Sequence, residues 1–136
     1  MTFIDLTIYK NIRILILEDF IYDADLVEFA LTEAGLDFTT KRATNEKEFL
    51  CGLEEFSPNL ILSDYDLPIY NGALALAEAK KRLPAVPFIL VTGALDEGDH
   101  RIVDIIAGGA SDCVFKDRLD RLPQAVRKAL GTWSEA

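Results

Sequence analysis

The stretch Leu60-Ile61-Leu62-Ser63-Asp64, continued by Tyr65-Asp66-Leu67-Pro68, decides the fold. Its apolar run is bounded upstream by Ser57-Pro58-Asn59 and downstream by Pro68 and Asn71-Gly72. A run this short between such punctuation reads as a fully buried strand rather than a turn of helix. It delivers a carboxylate, Asp64, to its C-terminal end. In open parallel α/β sheets, ligands bind just outside the carboxyl ends of the strands, so Asp64 is the first candidate for chemistry. Taken alone, an aspartate opening a turn is the plainer account.

Working outward, strand and helix alternate along the whole chain. Ile12 to Leu17 is a first buried strand, interrupted only by Arg13 and followed by Glu18-Asp19. Leu26, Val27, Ala30, Leu31 and Ala34 then recur at helical spacing, predicting a helix from about Asp23 to Ala34 that stops at Gly35. Phe38 to Ala43 is a β-branched-rich strand, and Thr44 or Asn45 caps a helix running to Phe56. Beyond the central strand come a helix over Ala73 to Leu83, a strand over Phe88 to Val91 and a helix from about Asp96 to Ala107. A short strand at Cys113-Val114-Phe115 and a last helix over Leu119 to Leu130 complete the series. Five alternations ask for a doubly wound, five-stranded parallel sheet with helices on both faces and right-handed crossovers. With neither repeat nor linker, residues 1–136 read as one α/β domain: a core over about 12–130, an N-terminal extension at 1–11 and a tail at 131–136.

Composition narrows the function classes. Half of the 136 residues are hydrophobic, enough for a packed core, and the net charge is −9. That balance argues against a binder of nucleic-acid backbone, and Lys80-Lys81-Arg82 suits a helix C-terminus better than a phosphate patch. Cys51 and Cys113 lack paired metal spacing and read as reduced thiols. No signal peptide and no membrane-length apolar run is legible, so a cytoplasmic protein is expected.

Four of the five strands end in side chains suited to phosphate chemistry: Glu18 and Asp19, Asp64, Thr92 and Lys116. A parallel sheet brings those ends to one edge. Three carboxylates gathered there raise one another's pKa and call for a counter-charge, and Mg²⁺ suits a few carboxylates, waters and phosphate oxygens. Lys116 adds a mobile point charge and Thr92 a hydroxyl donor. Together they would turn Asp64 into a nucleophile toward phosphorus, giving an aspartyl phosphate. Each has a plainer role alone: Glu18-Asp19 as a helix cap, Thr92 as a turn residue, Lys116 as a solvated lysine. Their coincidence at strand ends favours the shared site.

From Ile12 to about Leu130 the chain resembles the receiver domains of two-component response regulators. The acidic pair Glu18-Asp19 carries the likeness, as do Asp64 after its strand, Pro68 and Gly72 four and eight residues on, Thr92-Gly93, Gly109-Ala110 and Lys116. The resemblance implies the CheY-like strand order 2-1-3-4-5 and Asp64 as phosphoacceptor. Mg²⁺ or Mn²⁺ would be held by Glu18, Asp19, Asp64 and the backbone carbonyl of Asp66, with Thr92 and Lys116 on the phosphoryl group. It implies a sensor histidine kinase or histidine phosphotransfer protein as donor and a downstream protein target. It also implies an output face from about Asp96 to Leu130, with homodimerisation through the last helices as an option. His100 is expected mid-helix at the surface, not as the phosphorylated histidine. No DNA-binding region is legible after Leu130, so the chain is expected to act through protein contacts or as a segment of a larger kinase or relay protein.

Two positions depart from the family pattern. Cys113, three residues before the lysine, stands where an aromatic switch is usual, with Phe115 nearby. Asp117 replaces the proline after the lysine, and since a cis bond without proline costs about 2.5–4 kcal/mol, a trans bond is expected. Among other readings, Asp64-Tyr65-Asp66 resembles the nucleophile motif of haloacid-dehalogenase-like phosphatases. There, however, the motif sits on the first strand, and this chain has no insertion long enough for a cap. A flavodoxin-like cofactor site is the wrong charge at Glu18-Asp19-Phe20. A pseudo-receiver that only docks has no need of the full set of acids, threonine and lysine.

Overall fold

The period-two alternation of the strands sorts their side chains into two cores. In the computed structural model, which describes residues 4–131, the strands are β1 (Ile12–Leu17), β2 (Phe38–Ala43), β3 (Leu60–Ser63), β4 (Phe88–Thr92) and β5 (Asp112–Phe115). They form one parallel sheet in the order β2-β1-β3-β4-β5, as expected. Ile14, Ile16, Leu60, Leu62, Ile89 and Val91 face α1 (Ile21–Glu33) and α5 (Leu122–Leu130). Leu15, Leu17, Ile61, Phe88 and Leu90 face α2 (Glu46–Glu55), α3 (Gly72–Arg82) and α4 (His100–Ala107). Each of these large apolar side chains contributes about 1.5–3 kcal/mol on burial. Leu6 and Tyr9, ahead of β1, join the first core, and the Tyr9 hydroxyl donates to the Gly131 carbonyl at 3.0 Å beyond the end of α5. Residues 1–3 of the expected extension and 132–136 of the expected tail lie outside the described residues.

The register places the strand ends level with one another. Leu17 lies opposite both Ala43 and Ser63, and Thr92 opposite Phe115. The Asp64 amide donates to the Leu17 carbonyl at 2.9 Å, so Glu18 and Asp64 leave the sheet side by side. Gly72, the first residue of α3, is required there. A Cβ at that position would stand 2.9 Å from the Asp64 carbonyl oxygen and 2.9 Å from Leu90 Cδ1, so only glycine lets α3 begin against the Asp64 backbone.

Several boundaries differ from expectation for local reasons. α1 begins at Ile21 rather than Asp23, because the Phe20 carbonyl already accepts from the Asp23 and Ala24 amides. α4 begins at His100 rather than near Asp96: the Asp99 side chain caps it by accepting from the Arg101 amide at 2.9 Å. His100 is therefore the first residue of α4 and not mid-helix, though exposed as expected. The last helix is split into a 3-10 stretch over Lys116–Arg121 and α5, with a non-helical Arg118 and Pro123 in the first turn of α5. Between β3 and α3 an unforeseen two-residue hairpin pairs Asp66–Leu67 with Tyr70–Asn71. At its tip Ile69 is exposed with φ +62°, a strained conformation for a β-branched residue. The described residues contain no cis peptide bond, so Lys116-Asp117 is trans as expected.

Candidate functional site

Glu18 and Asp64 sit at the C-terminal ends of neighbouring strands, both buried, while Asp19 beside them is exposed. Each of the three offers a carboxylate oxygen, and those oxygens all lie within 4.8 Å of one another. Lys116, the residue after β5, reaches across to them. Its Nζ lies 2.7 Å from Glu18 Oε1, 3.0 Å from Asp64 Oδ2 and 2.7 Å from Asp23 Oδ2. The remaining oxygens are held by the backbone: Glu18 Oε2 accepts from the Phe20 amide at 3.0 Å and Asp64 Oδ1 from the Tyr65 amide at 2.7 Å.

The electrostatics are lopsided. Three carboxylates, Glu18, Asp23 and Asp64, share one ammonium and engage all three of its protons, and Asp19 adds a fourth negative charge beside them. Burial raises the Glu18 carboxyl above its ordinary range and the nearby Asp64 charge adds to this, while hydrogen bonds from Lys116 and Phe20 oppose it. Lys116 is buried too, which works against its charge. Its hydrogen bonds to Asp23, Glu18 and Asp64 outweigh burial and hold it well above the ordinary lysine range. The two partners differ because Lys116 gains from three acids, whereas Glu18 shares one cation with two rivals. This excess of negative charge around two buried carboxylates, all of it hard oxygen, suits a divalent cation of the magnesium class.

Thr92 ends β4 fully buried, and its Oγ1 accepts from the Ala94 amide at 3.1 Å, which leaves the hydroxyl proton free to donate. Among the described residues it makes no hydrogen bond to the carboxylates; it stands at the next strand end rather than inside the ionic cluster. Asp66 is exposed in the small hairpin, and its carboxylate is not one of the grouped acids. Cys113 is half-buried in β5 against the α4-side core, and burial, aided by the Asp112 charge, pushes its thiol up to about 11.

Sequence reasoning missed Asp23, which it used only to mark a helix start. A signal was present: Asp23 falls one helical turn after Asp19, so an acid in the first turn of α1 returns to the strand edge. It also missed the apolar exposure beside the site. Phe20, Ile21, Tyr22, Leu26 and Phe29 are all more than half exposed, forming an apolar strip along α1 that starts at the acid cluster. Among the described residues no helix is long and apolar enough to cross a membrane.

Residues 14–127 match the model of the response regulator receiver domain. The chain is 29% identical over 119 residues to the chemotaxis protein CheY of Bacillus subtilis, covering 87% of this chain and 97% of that one. It is 30% identical to a protein-glutamate methylesterase/protein-glutamine glutaminase of Treponema denticola over 79% of this chain, yet spans only 29% of that protein. Among solved structures it resembles a CheY-like receiver from Methanospirillum hungatei, with TM-score 0.74, 28% identity and coverage of 88% and 94% of the two chains. The receiver domain of NtrX from Brucella abortus is similar too, with TM-score 0.76, 29% identity and coverage of 88% and 99%. The Mn²⁺-bound form of another response regulator matches at TM-score 0.70 and 25% identity over 91% of this chain and 98% of that one.

Proposed function

We propose, from the premise that this chain belongs to the response regulator receiver domain family, that Asp64 accepts a phosphoryl group from a phosphohistidine on a partner protein. The observation that carries this reading is the Lys116 ammonium 3.0 Å from Asp64 Oδ2 inside a cluster of carboxylates. An Asp64 oxygen attacks phosphorus while the P–N bond to the donor imidazole breaks, and the imidazole leaves with the bonding electron pair. Lys116 already pairs with Asp64 and follows the negative charge onto the phosphoryl oxygens. The Thr92 hydroxyl, its proton unengaged, donates to one of them. Glu18, Asp19 and Asp64, with the backbone carbonyl of Asp66, would hold Mg²⁺ or Mn²⁺, which supplies charge neutralisation and orientation. A similar response regulator has been solved in a Mn²⁺-bound form, which supports a divalent cation in this reading.

The donor is a sensor histidine kinase or a histidine phosphotransfer protein, and the apolar strip on α1 is where it seats. That strip begins at Phe20, next to Asp19, and Asp23 in the same helical turn pairs with Lys116. A partner placing a phosphohistidine at Asp64 therefore covers Tyr22 and Leu26 as it arrives. We read the site as that of a signalling domain that accepts a phosphoryl group, not of a turnover enzyme. The position of Asp66, outside the grouped acids, gives no support to a phosphatase using Asp64 with Asp66 as general acid. We read residues 1–136 as one receiver unit in the cytoplasm, acting on a downstream protein, with pairing of two copies as an option for its later helices.

Incubation with acetyl phosphate and Mg²⁺, followed by mass mapping, tests the reading. One acid-labile, hydroxylamine-sensitive phosphate on Asp64 is expected, absent in Asp64→Asn. Undiminished labelling of Asp64→Asn would place the acceptor elsewhere and overturn it.

A further inference from the structure

The aromatic side chain that a receiver ordinarily turns inward from its fifth strand is a cysteine here, so the output needs another route. The structure offers one through the residue that follows Asp64. The Tyr65 amide donates to Asp64 Oδ1 at 2.7 Å, and the Tyr65 carbonyl accepts from the Gly72 amide at 2.7 Å, so both flanking peptide groups are fixed. The Tyr65 ring lies under the Arg101 guanidinium, 5.6 Å from ring centroid to Cζ. Arg101 is itself locked to the start of α4: its Nε and Nη2 bond both Asp99 carboxylate oxygens, at 3.0 and 2.8 Å, and Asp99 is the α4 cap. A short chain of contacts thus runs from the Asp64 carboxylate to the N-terminus of α4.

The rest of α4 is held lightly. Ile105 is its only fully buried residue, and Val103 and Ile106 are exposed. Between α3 and α4 lies a cleft of about 210 Å³, walled by Tyr65, Leu76, Arg101 and Ile105, so the helix has room to shift. We propose that the stack of Arg101 on Tyr65 holds α4 in place while Asp64 is a free carboxylate and releases it when Asp64 is phosphorylated. Formation of the acyl phosphate changes the charge distribution of the carboxyl group that the Tyr65 amide now bonds, and adds a group bearing roughly −1.5 to −2 charge beside that peptide. The Tyr65 ring moves with its backbone, and the guanidinium loses its π-face.

This inference rests on Asp64 as phosphoacceptor, and the experiment separates the two. Amide hydrogen exchange of residues 100–107 is measured in the wild type, Tyr65→Phe, Tyr65→Leu, Arg101→Gln and the Tyr65→Leu/Arg101→Gln double variant. Each is taken free and with Mg²⁺ plus beryllofluoride, a tetrahedral stand-in for the phosphoryl group, whose binding is followed by fluorine NMR. Without ligand, Tyr65→Leu and Arg101→Gln should each speed exchange about threefold, the loss of a partly exposed cation–π contact. The double variant should go no further, and Tyr65→Phe, which keeps the ring, should match wild type. Beryllofluoride should speed exchange in wild type and Tyr65→Phe and add nothing in Arg101→Gln, which should still accept phosphate from acetyl phosphate at the wild-type rate. Additive single effects, Tyr65→Phe behaving like Tyr65→Leu, or an equal response to beryllofluoride in wild type and Arg101→Gln would overturn the proposal. Failure of beryllofluoride to bind wild type would instead overturn the phosphoacceptor reading, and the ligand-free comparison would still decide whether the stack holds α4.

Discussion

Lys116 Nζ and Asp23 Oδ2 lie 2.7 Å apart although 93 residues separate them in sequence, which ties the first turn of α1 to the end of β5. The contact gives the ammonium its third carboxylate, after Glu18 and Asp64. Asp23→Asn keeps the shape of the side chain while removing its charge. A loss of about 1 kcal/mol of stability is expected, that of one hydrogen bond to a charged group at a partly exposed position. Labelling of Asp64 should continue, because Asp23 is not among the three acids whose oxygens converge. An unchanged urea midpoint would show that Glu18 and Asp64 alone hold the lysine.

Divalent cation should stabilise the folded chain, because the convergence of Glu18, Asp19 and Asp64 exists only when β1 and β3 are paired. At one hundred times the dissociation constant, Mg²⁺ should contribute about 2.7 kcal/mol. That appears as a rise of several degrees in Tm, reversed by chelator. Asp19→Asn should lose most of the rise while leaving the metal-free melting temperature nearly unchanged, since Asp19 is exposed. A Tm indifferent to millimolar Mg²⁺ would count against the site.

The raised pKa of Glu18 fixes the sign of a pH effect. Burial makes the folded state favour the neutral carboxyl, so below the folded pKa the native chain binds more protons than the unfolded one. The Glu18 contribution to metal-free stability therefore falls as pH rises through the window from the ordinary glutamate value to the folded one, and is regained on mild acidification. Glu18→Gln should be more stable than wild type above that window without Mg²⁺, and should gain less from the metal. A variant less stable than wild type at neutral pH in chelator would show that the ion pair with Lys116 outweighs the desolvation of Glu18.

The sheet order, the five strands and the residues at their ends were legible because buried parallel strands are short apolar runs between turn residues, a pattern local to the sequence. Glu18, Asp19, Asp64 and Lys116 could be read together because strand register, not side-chain detail, brings them to one edge. What stayed hidden depends on contacts between distant segments. Asp23 becomes part of the site only once β5 delivers Lys116. The cap at Asp99 outcompetes an earlier helix start only when its side chain bonds the Arg101 amide. Tyr65 and Arg101 meet only after α4 has packed beside α3. The strip on α1 was masked for another reason: Ala24, Val27 and Leu31 face the core while Tyr22, Leu26 and Phe29 face outward, so apolar residues occupy two faces of the helix and the core face does not stand out by pattern alone.

That outward strip gives the prediction that separates docking from chemistry. A surface helix with Tyr22 71%, Leu26 54% and Phe29 61% exposed leaves apolar area in water that the fold itself does not need, and replacing these side chains should change stability by little. The neighbouring acids Asp25 and Glu28 both pair with Arg42, at 2.7 Å from each, so the charges flanking the strip are largely engaged with one another. Tyr22→Ala combined with Leu26→Ala should therefore slow phosphotransfer from a cognate phosphohistidine protein by about tenfold or more, the effect of losing central apolar contacts at an interface. Labelling by acetyl phosphate, which needs no docking surface, should proceed at the wild-type rate. Equal loss with both donors would mean that the substitutions disturb Asp23 and the acid cluster, and equal activity with both would move the docking surface off α1.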